Sequence, residues 1–239
     1  MRIIVTAGPT REYLDPVRFL SNPSTGKMGF AIAAEAARRG HEVTLVAGPV
    51  ALKTPDRVRR VDVTSAREML RAVETALIVP EASSPRGADK AAGRYRATRR
   101  GRLGYGVVLV STAAVADWRP AKCAAKKLKK SQMSGVLKLV RNPDVLKTID
   151  SYRRRSKAVG LRLVGFAAET DHVLAEAARK CREKGLEFIV ANDVTKKGSG
   201  FGTGTNRVTF VFPDGTQKKF PLMAKRMVAK RILDAVSRL

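Results

Sequence analysis

The sequence predicts an α/β fold: a mostly parallel sheet with helices on both faces and an antiparallel hairpin near the C-terminus. Three observations predict it. Apolar, β-rich runs alternate with helical patterns along most of the 239 residues. The chain opens with a βαβ pattern, which makes its two strands parallel. Near the end, two β-rich runs flank a Pro-Asp-Gly turn, the mark of a hairpin.

Residues 2–7, RIIVTA, are apolar throughout, as in a strand buried on both faces. Residues 28–39 read as a helix closed by Gly40, and 41–48, HEVTLVAG, as the next strand. Residues 58–63 form a short strand. In the helix that follows, Thr64 or Ser65 can cap and Glu68 completes a capping box. Residues 80–104 break the pattern with six arginines and Lys90 against Glu81 and Asp89; they read as a flexible basic insert within a single 1–239 domain. A buried strand resumes at 106–112, before the lysine-rich 125–132 and a short strand at 135–140. Asn142 and Pro143 read as the cap and first position of a helix. The strand 161–170, a helix ended by Gly185, and the strand 186–193 come next. Residues 196–206 read as a flexible glycine-rich loop, 207–220 as the hairpin, and the rest as an amphipathic helix with Met223, Met227, Ile232 and Val236 inside.

Composition narrows the function. At 44% apolar content a real core forms. No apolar run is long enough for a membrane span, and the N-terminus lacks a signal-peptide pattern, so a cytoplasmic protein is expected. The two cysteines, Cys123 and Cys181, make no CxxC, and His41 and His172 lie far apart; a zinc site, a disulfide framework or a histidine triad has no support. The net charge of +26 implies anionic partners without choosing among nucleotides, phosphorylated metabolites and nucleic acid.

In parallel α/β sheets, ligands bind beyond the carboxyl ends of strands, so the loops 8–27, 113–134, 166–171 and 192–206 are the places to look. A nicotinamide dinucleotide fits poorly: no GxGxxG bridges the first strand and helix, and TLVAGPV offers no acid for a ribose. GKM at 26–28 is not a P-loop. The helix start at 24–29 still offers N–H groups to an anion. Each further candidate has a plainer structural reading beside it. Asp117 could meet a base or ribose, or cap a loop. Lys126–Lys130 could neutralise a polyphosphate, or be a solvated run. Phe166 could stack on a base, or pack in the core. Lys180 and Lys184, four residues apart, could hold an anion between them, or be a solvated face.

Six stretches, TAGPTREYLDPVRFLSNPSTGKMG, AAVADWRP, KLKK, RNPDVL, VGFAAET and ANDV, occur in the order seen in phosphopantothenate–cysteine ligases of coenzyme A biosynthesis, and the chain resembles that family over nearly its whole length apart from 80–104. The resemblance implies a Rossmann-like fold, a homodimer, and a ligase that joins 4′-phosphopantothenate to L-cysteine. It implies CTP (or ATP) and Mg²⁺, an acyl-nucleotide intermediate, and release of pyrophosphate and then CMP. It implies no flavin in this domain and a separate phosphopantothenoylcysteine decarboxylase.

By the same resemblance, Asn22 holds the acyl-nucleotide through its amide NH₂, and Lys127, first of the K-x-K-K pattern, stabilises the charged intermediate. Asp117, Lys127, the segment Ser111, Thr112 and Ala113, the turn Pro143, Asp144, Val145 and Leu146, and Phe166, Lys180 and Lys184 match nucleotide-binding positions. Arg18, Asn22, Ser24, Thr25, Gly26 and Lys27 shape the phosphopantothenate site. The metal ligands stay unassigned. Pro9, Pro23 and Thr25 depart from the commoner family residues, and none of these changes removes a reacting group. A competing reading is a nucleic-acid-binding protein on this scaffold, resting on the charge and on Tyr95 among the arginines of 80–104.

Overall fold

The computed structural model describes residues 1–78, 106–129, 131, 135–156, 160–196 and 198–239. The basic segment 80–104 and Lys130 lie outside these residues. The elements, in chain order, are β1 (Arg2–Ala7), β2 (Arg11–Tyr13), β3 (Phe19–Ser21), α1 (Lys27–Arg38), β4 (Glu42–Ala47), β5 (Val58–Asp62), α2 (Ala66–Ile78), β6 (Val107–Ser111), β7 (Trp118–Pro120), β8 (Leu139–Arg141), α3 (Val145–Arg155), β9 (Leu161–Glu169), α4 (Val173–Glu183), β10 (Phe188–Asp193), β11 (Thr205–Asn206), β12 (Val208–Val211), β13 (Gln217–Lys219), β14 (Met223–Ala224) and α5 (Lys225–Val236).

The strands build one eight-stranded sheet among the described residues, in the order β13-β12-β10-β9-β6-β1-β4-β5. From β5 to β10 every neighbour is parallel; β12 and β13 add the antiparallel hairpin at one edge. This is the Rossmann-like, mostly parallel sheet that the alternation of elements predicts. The strand alternation sends Ile3, Val5 and Ala7 to one face, with Phe30, Ile32 and Ala33 of α1 and Val228, Ile232 and Leu233 of α5. It sends Ile4 to the other, with Met69 and Val73 of α2, Ile149 of α3 and Ala177 of α4. Covered on both faces, β1 and β6 read as continuous apolar runs rather than alternating ones.

After β1 the chain runs outward through β4 and β5, then returns to β6 on the opposite side of β1. The direction of strand order reverses there, so the carboxyl ends of β1 and β6 open into a crevice. The long 8–27 connection is built around the hairpin β2–β3.

Local signals hold where they are short-range. Ser65 Oγ accepts the Glu68 N–H at 3.2 Å, and the Glu68 carboxylate accepts the Thr64 N–H at 2.9 Å. Three expectations are corrected. Asp144, not Asn142, caps α3, its carboxylate accepting the Lys147 N–H at 3.0 Å, while the Asn142 amide donates to the Ala116 carbonyl. The strand expected at 135–140 is limited to β8, paired only with β7. Met227 is exposed; Val228, Ala229 and Leu233 take the inner stripe of α5 with Ile232 and Val236.

Candidate functional site

The crevice is a cavity of about 400 Å³ bounded by Asn22–Gly29, by Thr112–Val115 and Asp117 after β6, and by the ends of β9 and β10. A volume of this size suits a substantial part of a nucleotide or a phosphorylated acid.

The first wall is the start of α1. Gly26 has φ +75, a left-handed conformation that glycine adopts without strain, and it turns the chain into the helix. Gly29 lets that helix lie against the sheet: a Cβ there would stand 2.5 Å from both Ala7 Cβ and Thr112 Oγ1. The Thr112 hydroxyl donates to the Thr6 carbonyl at 2.6 Å, and the Ala113 N–H donates to Thr6 Oγ1 at 3.3 Å. Three segments distant in sequence thus share one tight junction at the cavity floor.

Asn22 Nδ2 donates to the Ala114 carbonyl at 3.2 Å and to the Val115 carbonyl at 3.3 Å. The sequence argument gave this NH₂ to an acyl oxygen; here it straps the 8–27 loop to the segment after β6, and an incoming acyl oxygen would displace a carbonyl. The same loop is pinned deeper by Asp15, a fully buried residue whose carboxylate accepts from the Val17, Arg18 and Leu128 N–H groups and from the Arg18 guanidinium. The Arg18 fork holds that carboxyl well below the usual carboxylate range.

Asn22, Ser24, Thr25, Gly26, Lys27, Thr112, Ala113, Asp117, Phe166 and Lys180 all border the cavity. Asp117 is exposed and pairs with no cation among the described residues. Phe166 is part-buried, one side on the core.

The other expected residues stand elsewhere. Arg18 pairs with Asp15 and donates to the Leu128 carbonyl at 2.8 Å. Ser111 meets the Thr6 hydroxyl behind the floor. Lys127 is exposed outside the cavity wall. Pro143 and Asp144 lead into α3, and the Val145 and Leu146 side chains are buried in the core. The pairing expected of Lys180 and Lys184 through a shared anion is corrected: Lys180 pairs with Glu169, and Lys184 with Asp144 at 2.8 Å. Burial works to raise the Asp144 carboxyl, but the Lys147 N–H and the Lys184 ammonium overcome it and leave it lowered.

Among the cavity residues to which the sequence analysis gave no role, three are buried and polar. Asn192, at the end of β10, is 8% exposed, and its Oδ1 has no hydrogen-bond partner. Asn206 is 3% exposed and Lys225 7% exposed. A signal existed for two of them. Asn192 is a polar residue closing an apolar strand in ANDV, and Lys225 sits on the same helical stripe as Val228, Ala229, Ile232 and Val236.

Among the described residues no cluster of three or more acidic, histidine or cysteine side chains could hold a metal. No helix of the described residues is long and apolar enough to cross a membrane.

Comparisons with known proteins identify the chain's relatives. The bifunctional coenzyme A biosynthesis protein CoaBC of Escherichia coli K12 is 40% identical over 239 residues, covering 99% of this chain and 51% of that protein. That of Bacillus subtilis is 39% identical, covering 99% and 51%. The chain thus spans about half the length of these relatives. A crystal structure of the C-terminal domain of CoaBC superposes with a TM-score of 0.72 at 38% identity, covering 98% of this chain and 93% of that one. A Cab2 mutant in complex with phosphopantothenate-cysteine shares the fold, with a TM-score of 0.72 at 14% identity, 99% of this chain and 86% of that one being covered. The family profile matches residues 1–82 and 96–239, skipping the middle of the basic segment. The chain belongs to the family of the DNA/pantothenate metabolism flavoprotein C-terminal domain.

Proposed function

We propose that this chain is a ligase of coenzyme A biosynthesis that joins 4′-phosphopantothenate to L-cysteine. The observation that carries the reading is the convergence at one switch-point cavity of residues from distant motifs: Asn22, Lys27, Thr112, Asp117, Phe166 and Lys180. The relatives named for coenzyme A biosynthesis support the pathway.

The chemistry suits the site. A carboxylate is a poor electrophile. Its oxygen attacks the α-phosphorus of CTP, the bond to pyrophosphate breaks, and an acyl-cytidylate forms. The cysteine amine then attacks the acyl carbon, CMP leaves, the ammonium proton is lost, and an amide remains. Such an enzyme gathers several anions and meets charge that grows on the leaving groups. Helix N–H groups, the lysines and main-chain amides supply donors for that, and no nucleophilic side chain is required. Asn22, Arg18 and Ser24–Lys27 serve phosphopantothenate. Asp117, Ser111–Ala113, Phe166, Lys180 and the turn Pro143–Leu146 with Lys184 serve the nucleotide. Lys127 stabilises the charged intermediate. CTP is favoured over ATP by the family resemblance, Mg²⁺ enters with it, and the enzyme works as a homodimer in the cytoplasm.

The test is pyrophosphate release from the purified chain with Mg²⁺, 4′-phosphopantothenate and either CTP or ATP, with and without cysteine. Release that needs phosphopantothenate supports carboxylate activation, and the better nucleotide sets the specificity. No release from folded protein with either nucleotide overturns the ligase reading and leaves salt-sensitive nucleic-acid binding as the reading to test.

A further inference from the structure

The charged side chains of the cavity divide unevenly. Among the described residues Lys27, Lys180 and Lys225 are its cations, and Asp117 and Glu169 its acids. The ligase chemistry brings two anionic partners to this site and one of another kind. Cysteine arrives with an α-amino group that is largely an ammonium at neutral pH. An ammonium has N–H donors and no acceptor, so the cavity must offer it oxygen, and a carboxylate holds it best. Asp117 serves the nucleotide in that chemistry, which leaves Glu169. Glu169 is the last residue of β9, in register with Asp193 of β10. The two acids turn different ways. The Asp193 carboxylate accepts from the Thr195 N–H at 3.1 Å and from the Thr195 hydroxyl at 2.6 Å, and it does not border the cavity. The Glu169 side chain is 21% exposed and borders the cavity. Its Oε1 accepts from the Lys180 ammonium, which reaches it from α4, and its Oε2 accepts no hydrogen bond among the described residues. This wall therefore already holds a primary alkylammonium, the chemical class of the cysteine amino group, and has an oxygen to spare.

We propose that the Glu169 carboxylate is the seat of the cysteine ammonium, occupied by Lys180 until a nucleotide anion engages that lysine. The inference rests on the ligase reading and deepens it, giving the amino-acid substrate a binding residue. In the unliganded chain Lys180 neutralises the carboxylate. The phosphates of a nucleotide carry more charge and draw the lysine to themselves. Glu169 then regains its charge at the cavity wall, and the cysteine ammonium takes the place of the lysine. Two consequences separate a seat from a structural ion pair. An amine without positive charge gains nothing from Glu169. Removing Lys180 leaves the seat intact.

The experiment measures steady-state rates of the full chain at saturating nucleotide and 4′-phosphopantothenate. Cysteine is varied, and separately hydroxylamine, an amine that is neutral at neutral pH and captures an acyl-nucleotide as a hydroxamate. Thermal melts accompany each variant. Glu169→Gln keeps the shape and removes the charge; it should raise the KM for cysteine by about 10- to 100-fold, the loss of one charge-assisted hydrogen bond, with no matching rise for hydroxylamine. Glu169→Asp should recover part of the cysteine affinity. Lys180→Met should weaken the nucleotide by about tenfold while the KM for cysteine stays level or falls, and it decides the question if Glu169→Gln melts too low to assay. A Glu169→Gln chain with the parent KM for cysteine overturns the proposal. Equal losses with both amines overturn it too, since Glu169 would then only orient Lys180. So does a Lys180→Met chain whose KM for cysteine rises along with that for the nucleotide. If the parent turns over and any of these results appears, this inference fails alone. If the parent releases no pyrophosphate, the ligase reading fails and the seat loses its ligand with it.

Discussion

Gly29→Ala adds one methyl group at the junction where the fold and the site meet. The new Cβ would stand 2.5 Å from Ala7 Cβ and from Thr112 Oγ1, and 3.1 Å from the Thr6 carbonyl oxygen. Carbon atoms pack at about 3.5–4.0 Å, so α1 must withdraw by about 1 Å or Thr112 must leave its hydrogen bond to Thr6. Overpacking of this kind costs about 1–3 kcal/mol. Alanine returns up to about 1 kcal/mol of helix propensity, less in a first turn than in a helix interior. The net expectation is a loss of about 1–2 kcal/mol, which for a chain of this size lowers the melting temperature by about 2–8 °C. Calorimetry or a denaturant melt reads it. A nucleotide titration of the same variant should weaken by about tenfold, because the floor moves with the helix. Propensity alone would raise stability. A Gly29→Ala chain that melts at or above the parent temperature therefore refutes the steric account of this junction.

Three further outcomes are expected. Asn22→Ala removes the amide that straps the 8–27 loop to Ala114 and Val115; it should cost about 1 kcal/mol of stability or less, yet leave an acyl-nucleotide that turns over slowly, read by rapid quench. Lys127→Gln should lower the overall rate by about tenfold or more while nucleotide affinity changes little, if, as proposed, it meets charge that develops during reaction; equal losses in rate and binding would make it a simple binding lysine. Glu35 is paired with Arg38 and Arg39, and its pKa is lowered from 4.5 to about 2, chiefly by the Arg38 guanidinium. Its folded-state pKa is depressed, so its contribution is fully present above pH 4.5 and is lost as pH falls towards 2. With Arg38 largely exposed, solvent screening limits it to about 1 kcal/mol. Glu35→Gln should flatten the acid limb of a stability–pH profile in that window, and an unchanged slope would remove Glu35 from the account.

Much of the architecture was legible because it rests on short-range physics. The apolar runs of β1 and β6, the capping box at Ser65 and Glu68, and the turn at 213–215 each declare themselves within a few residues. The misreadings share another cause. Asn142 and Asp144 both suit a cap, and what decided between them was the Ala116 carbonyl, reached across the sheet end. Met227 and Val228 are neighbours of similar hydrophobicity, and only the rotation of α5 on the sheet puts one outside and the other in the core. Lys180 and Lys184 read as a bare cationic pair because Glu169 and Asp144 come from other elements.

The sequence by itself determined the class of fold, the order of its elements and the family, because patterning, turn chemistry and motif order are one-dimensional properties. It also determined which side chains are available for chemistry. Tertiary structure alone decided which of them meet. The return of the chain from β5 to β6, on the far side of β1, opens the cavity between segments that lie about a hundred residues apart. The packing of α5 beside α1 brings Lys225, unremarkable in a lysine-rich helix, to the same cavity as Lys27. Burial then gives that ammonium its character, since a charge withdrawn from water without a counter-charge depends on whatever the rest of the fold, or a ligand, places beside it.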